Sequence, residues 1–412
     1  MSAAPHLGAA LGTYTRIGLL SFGGPAGQIA LMQSELVDRR GWVAADAFQR
    51  GLNVAMLLPG PEAQQLVTWL GWRLHGMMGG LIAGLAFILP GAALMILLAW
   101  IAAAYGETRW VAAIFYGVQP AVIALVAHAV WKLSRRSLSG TAHWLLAAAA
   151  FVGIFVLGVP FPAIVALSAL AGFLLPAPSV PEIVGGRVPR ARHWLRVVAV
   201  AVTLVVAVFL AARTLVGTGA VDEVAELFTT AAFVSFGGAY ALLPYVADRA
   251  VESYGWLTAA EMLNGLALAE STPGPLILVN VYAGFYAGWP EGAQMGALTA
   301  ALACFYTFAP SFMLILAIAP YVEAVQRLRW VRRALAGVSA AVVGVVLNLA
   351  VYLTEAAIFP AGLLSPDWLK LALLIGFGLW VIWRQPAMTL LVAVGAASGL
   401  LLSLVGAIGP GA

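Results

Sequence analysis

Apolar runs of near-membrane length alternate with short polar stretches along almost the whole chain. A transmembrane helix takes about 20 apolar residues. In the first half such runs fall at 79–104, 110–131, 142–158 and 160–176, the last two being short. In the second half they fall at 292–319, 331–353, 367–383 and 387–408, and one more lies at 194–215. Segments 8–35 and 45–75 are also apolar but broken, at Phe22-Gly23-Gly24-Pro25 and at Pro59-Gly60-Pro61. Each piece is about 14 residues, or about 21 Å, too short for a core of about 30 Å. The pattern predicts segments that enter the bilayer, break near its middle and return, with full crossing of one or both as the alternative. Segments 222–247 and 258–288 repeat it.

An internal duplication explains the recurrence. SFGG at Ser21 and Trp42 of RRGW, Gly51-Leu52 and Pro59-Gly60-Pro61 all recur 214 positions later, as SFGG at Ser235, Trp256, Gly265-Leu266 and Pro273-Gly274-Pro275. Of 41 ungapped positions 14 are identical, and they cluster on Gly, Pro and aromatic residues. Chance similarity of two apolar segments would match Leu and Ala instead. The expected organisation is a first repeat at 1–180, a linker with a connecting transmembrane helix at 181–220, and a second repeat at 221–412.

The composition fits only a bilayer. Of 412 residues 63% are hydrophobic and 9% charged, against about 25% charged in soluble domains. That excludes a soluble enzyme, a disordered chain and a nucleic-acid binder. The start, MSAAPHLGAALGTYTR, lacks the pattern of a secretory signal, so we expect a full-length chain. The net charge of +4 matters through its placement. Lys132, Arg135 and Arg136 mark one cytoplasmic loop, and Arg187, Arg190, Arg192 and Arg196 mark another. In the second half Arg327, Arg329, Arg332 and Arg333 sit one loop earlier than their counterparts. The shift predicts two halves in inverted orientation, with one extra helix between them. Such repeats are typical of secondary transporters. The expected fold class is an all-α polytopic membrane protein, each half with Gly/Pro-broken half-helices plus about four full spans.

The breaks carry the candidate chemistry. Irregular backbone at that depth is tolerated only inside protein or beside a wet cavity. Half-helices starting at Pro61 and Pro275 would aim free N–H groups and a partial positive charge at the break. Gly23, Gly24, Gly60, Gly237, Gly238 and Gly274 would let amides approach a ligand, making an anion cradle. Ser21, Gln64, Ser235, Ser271 and Thr272 are candidate hydrogen-bonding groups. Arg16 and Arg50 are candidate counter-cations. Glu62, directly after PGP, and Glu270, before it, are candidate proton-exchanging carboxylates, because charges within apolar runs default to function. The five His residues and Cys304 show no metal-ligand spacing, and no phosphate loop is visible. No cofactor is expected, and transport would draw on an ion gradient.

These residues resemble the chromate ion transporter family. The likeness rests on SFGGPAGQIALM, RRGW, LLPGPEAQQL, LGWRLHGMMGG and ILPG, then on SFGGAYALLPY, GWL, STPGPLILVNVYAGF and FAPSF. It covers nearly the whole chain and corresponds to the long, two-domain form. The resemblance implies efflux of chromate through the bacterial inner membrane, driven by proton gradient or membrane potential, and hence resistance. Sulfate has the same tetrahedral dianion shape, so a sulfate or other oxyanion carrier is the alternative. An intramembrane enzyme on lipid-linked substrates would need metal ligands or a catalytic loop. The expected partners are the anion, protons and the lipid bilayer, with a cytoplasmic N-terminus, no nucleic acid, and glycine-rich helix faces that leave room for a homodimer. The expected mechanism has one repeat rocking against the other, with the first half carrying more of the oxyanion contacts.

Overall fold

The structure, a computed structural model, describes residues 5–22, 24–175, 191–217, 219–236, 238–322, 324, 328–360, 362 and 364–408. The expected site residues Gly23 and Gly237 lie outside the described residues, as do Arg187, Arg190 and Arg327. The first half contains α1 (Leu7–Leu20), α2 (Gly24–Gln33), α3 (Ala45–Ala55), α4 (Glu62–Tyr105), α5 (Arg109–Ser137), α6 (Thr141–Phe155) and α7 (Phe161–Ala171). Helix α8 (Ala191–Val216) connects it to α9 (Ala220–Val234), α10 (Ala239–Ala247), α11 (Ala259–Ser271), α12 (Val279–Gly288), α13 (Ala293–Ile318), α14 (Arg329–Ile358), α15 (Trp368–Arg384) and α16 (Met388–Leu404).

Five helical segments are long and apolar enough to cross a membrane: α4, α5, α8, α13 extended to Tyr321, and α14. The chain is an all-α polytopic membrane protein of two halves. The remaining apolar runs form shorter helices. Helix α6 stops at Phe155 and α7 at Ala171, with one 3₁₀ turn to Leu174. At 15 residues α6 spans about 22 Å, less than the hydrocarbon core. Helices α15 and α16, at 17 residues each, stand at the short end of the spanning range and pack on α5, while α6 and α7 are shorter.

The breaks fall where the glycines and prolines place them. Helix α1 ends at Leu20, α2 starts at Gly24, and α3 and α4 are separated by the Met56–Pro61 turn. Helix α4 itself kinks at His75 (φ −138°) and Gly76 (φ 63°), dividing a half-helix from a full span. The second half repeats these breaks with high fidelity. One π-helical turn covers Ser34–Arg39 and another covers Asp248–Ser253, displaced by the same 214 residues. Gly60 and Gly274 both hold positive φ, at 120° and 100°, where a side chain would be strained.

The halves interlock. A Cβ on Gly117 of α5 would stand 2.1 Å from the carbonyl oxygen of Gly395 on α16. A Cβ on Gly344 of α14 would stand 2.0 Å from that of Ala147 on α6. Helices α5 and α14 thus pack backbone to backbone, through small residues, on short helices of the other half. The sequence repeats are not separate packing units, and a motion of one whole repeat against the other would have to break both seams.

Candidate functional site

The four breaks meet in two pairs, and each pair joins one half to the other. Gly274 N–H donates to the Ser21 carbonyl at 3.1 Å and to the Ser21 hydroxyl at 3.2 Å. Gly60 N–H donates to the Ser235 carbonyl at 2.8 Å. The 214-residue offset maps one contact onto the other, so the halves exchange equivalent hydrogen bonds. A long helix backs each junction. Gly91 of ILPG lies against the turn at Pro273, whose carbonyl oxygen would stand 2.3 Å from an added Cβ. Ser311 of FAPSF lies against Gly60, its Oγ 2.8 Å from the corresponding point. ILPG and FAPSF are thereby explained: each supports the PGP turn of the opposite half.

The Ser21–Gly274 junction is closed by its own side chains. Gln28 Nε2 donates to the Gly274 carbonyl at 2.6 Å and to the Ser21 carbonyl at 3.4 Å. Leu276 and Leu278 fill the other side and are buried. The Ser21 hydroxyl donates to the Gly18 carbonyl at 3.1 Å. Ser271 and Thr272 turn their hydroxyls back on α11, to Leu268 and Ala269 carbonyls. They cap their own helix and offer an anion no proton in this conformation. Gly24 is likewise packed, beside the Met388 thioether.

The Ser235–Gly60 junction has a different lining. Leu242 stands where the other junction has Gln28, and Glu62 and Gln64 stand where it has Leu276 and Leu278. The half-buried Glu62 carboxylate lies 3.5 Å from the point where Gly238 would carry a Cβ. Gln64 donates to Thr68 at 2.9 Å and accepts from Ser311 at 2.6 Å. Gln65 Nε2 donates to the Pro59 carbonyl at 2.7 Å, which holds the turn. The buried Ser235 hydroxyl has no partner among the described residues. An unmet buried hydroxyl costs about 1–3 kcal/mol.

The expected cradle therefore changes shape. The amides of Gly60 and Gly274 serve the seam between the halves and are not free for an anion. The polar side chains of the first half also divide, Gln28 going to one junction and Glu62 and Gln64 to the other. Arg50 is spent on Asp46 at 2.7 Å, on the exposed side of α3. This hydrogen bond holds the Asp46 carboxyl below its usual range. The repeat partner of Arg50, Asn264, accepts from Gln119 at 3.0 Å, and Gln119 accepts from Lys370 at 2.9 Å. Arg16 is exposed, and its charge acts on Glu35. Among the described residues, these contacts of the two arginines lie away from the breaks.

Another arginine, the exposed Arg136, reaches the segment before Gly60. Its Nη2 lies 3.2 Å from the Met56 Sδ, where the turn before Gly60 begins. Its charge also acts on Glu62. Sequence patterning used Arg136 only as a loop marker. The available signal was that it ends α5, a span whose other face packs on the core. Glu270 is buried, and the Tyr240 hydroxyl donates a hydrogen bond to its Oε1 while Oε2 has no partner among the described residues. Tyr240 is the second residue of α10, two after Gly238, and Glu270 precedes the turn at Gly274. The pair therefore links the two junctions. Among the described residues no group of three or more His, Cys, Asp or Glu side chains is placed to hold a metal.

Comparison with known proteins agrees with this duplicated frame. The chromate transporter family matches at residues 9–173 and again at 223–400. The chain is 35% identical over 347 residues to a chromate transport protein of Pseudomonas aeruginosa, covering 81% of this chain and 77% of that one. It is 29% identical over 358 residues to a chromate transport protein of Cupriavidus metallidurans, covering 85% and 84%. An uncharacterized transporter of Bacillus subtilis, YwrB, is 31% identical over 141 residues, which are 34% of this chain but 71% of that protein. No solved structure matches the chain significantly. With one family match on each side of the connecting helix, this chain belongs to the chromate transporter family.

Proposed function

We propose that the protein is a secondary transporter that exports chromate across the bacterial inner membrane, with an oxyanion site at the Ser235–Gly60 junction. The observation that carries this reading is the asymmetry of the two junctions: one is plugged by Gln28, and the other keeps a free Ser235 hydroxyl beside the start of α4. The first-turn amides of α4 and the Ser235 hydroxyl would replace part of the hydration of a dianion, as at other helix N-termini. Arg136 would supply the positive charge on approach. Glu62 occupies that helix start without a substrate, satisfying the helix dipole. An arriving dianion displaces it or requires it to take a proton. Glu270, bonded to Tyr240, is the second proton-exchanging group and reports occupancy of one junction to the other.

The orientation is part of the proposal. The two halves are inverted about an axis in the membrane plane, with the N-terminus and the Arg136 loop in the cytoplasm. Because the halves interlock, the moving bodies are helices drawn from both. Labelling of Gly41→Cys and Gly255→Cys, in a Cys304→Ala background, should proceed from opposite sides of the membrane. Labelling from one side sinks the inversion.

Chromate flux into proteoliposomes, with imposed pH and voltage gradients and sulfate as competitor, tests the function. Uptake that follows the pH gradient and resists excess sulfate is expected. Sulfate flux faster than chromate flux would make the protein a sulfate carrier on the same scaffold. Absence of both fluxes would overturn the proposal.

A further inference from the structure

The connecting helix α8 is nearly bare. Only 6% of its most apolar stretch is buried. It touches the rest of the molecule mainly along α13, and its start is fixed there by His193, whose Nε2 lies 3.3 Å from the Leu316 carbonyl. Between α8, α4 and α13 runs a groove of about 570 Å³. This falls within the roughly 300–1,000 Å³ of small-molecule sites. Its walls are apolar, with Leu81, Ile88, Val200 and Phe308 among them, and its one charged lining residue is Arg196. On α4 the lining runs from Met77 to Leu89, about 18 Å of helix. That is close to one leaflet of a core about 30 Å thick.

We infer that this groove holds one acyl chain of an anionic glycerophospholipid, with the headgroup phosphate on Arg196. Three observations support this occupant. The groove is as long as one leaflet and has no polar wall that a soluble ligand would use. The charge stands at one end, next to Met77 and Leu316, rather than along the length. Arg192 lies one turn before Arg196 on the same face of α8 and continues the cationic edge beyond the apolar walls. Basic pockets between transmembrane helices take anionic headgroups for the same reason. Arg213, at the far end of α8, is instead paired with Asp222 at 3.6 Å. Placement in the cytoplasmic leaflet rests on the orientation proposed above, but the lipid preference does not. The lipid would fasten α8 where little protein does, and so tie the connection between the halves to the composition of the membrane.

Cys304 lines the groove and is the only cysteine of the chain, so its alkylation reports occupancy. The delipidated full chain in detergent is treated with a membrane-soluble maleimide after addition of phosphatidylglycerol or phosphatidylcholine. Phosphatidylglycerol should slow the reaction about fivefold more than phosphatidylcholine does. The difference should vanish in Arg196→Gln, persist in Arg196→Lys and persist in Arg213→Gln. Equal protection by the two lipids in the unmodified protein overturns the proposal, as does full phosphatidylglycerol protection in Arg196→Gln. The assay needs no gradient and no chromate, so a failed flux measurement would leave its outcome intact.

Discussion

The two junctions share one backbone and differ in their side chains. Each joins a serine carbonyl of one half to a PGP amide of the other, with a long helix behind the turn. At the Ser21–Gly274 junction a glutamine seals the break and leucines dry it. At the Ser235–Gly60 junction a leucine replaces the glutamine, and a glutamate and a glutamine replace the leucines. Duplication supplied two equal sockets, and a few substitutions made one a joint and left the other with the polar lining on which the proposed site rests. Backbone symmetry here describes how the molecule holds together, while side-chain asymmetry describes where it can bind.

The largest test of that contrast is to carry the plug across. Leu242→Gln should seal the Ser235–Gly60 junction and reduce chromate flux to background while the protein still purifies as a folded species. Normal flux in this variant would mean that the junctions do not differ as described. Next in size, Arg136→Ala should lower the initial rate at low chromate about tenfold to a hundredfold, the worth of a hydrogen bond to a charged group. Arg136→Lys should recover most of it, since a point charge suffices on approach. Gln28→Leu should act on stability instead. A lower thermal midpoint, corresponding to about 0.5–1.5 kcal/mol, with unchanged apparent KM, is the expected result, and a raised KM would place substrate at both junctions. Ser235→Ala should raise apparent KM about threefold to tenfold. The smallest effect belongs to Arg50→Ala, whose exposed ion pair with Asp46 is worth at most about 1 kcal/mol. A large transport defect there would return Arg50 to the site.

The breaks were legible because they rest on local rules. SFGG, PGP and their 214-residue recurrence announce where helices stop, and α1, α2, α3 and α4 stop there. Glu62, Ser235 and Gly238 were legible as neighbours of the breaks because they flank those stops. What stayed hidden depends on which surfaces meet. Nothing in the order of residues says that Gly60 bonds to Ser235 rather than to Ser21, since both serines precede an equivalent break. The fate of Gly60 and Gly274 was missed for that reason: an amide that looks free at a helix start is satisfied by a chain 175 or more positions away. The contact of Arg136 with Met56 stayed hidden because charge counting assigns an arginine to a side of the membrane and says nothing about how far its guanidinium reaches. The shortness of α6 was only half visible, because Val156 and Leu157 extend the apolar run past the end of the helix.

The exchanged hydrogen bonds also bear on how such a gene can be divided. Either half alone would present one serine carbonyl and one PGP amide with no counterpart, along with two glycine seams facing lipid. A chain cut between residues 176 and 190 should therefore regain function when its two fragments are produced in the same cell. Each fragment produced alone should be degraded. With the inversion proposed above, an ancestor that carried a single copy would have needed a second molecule of itself, inserted the opposite way, to complete both junctions.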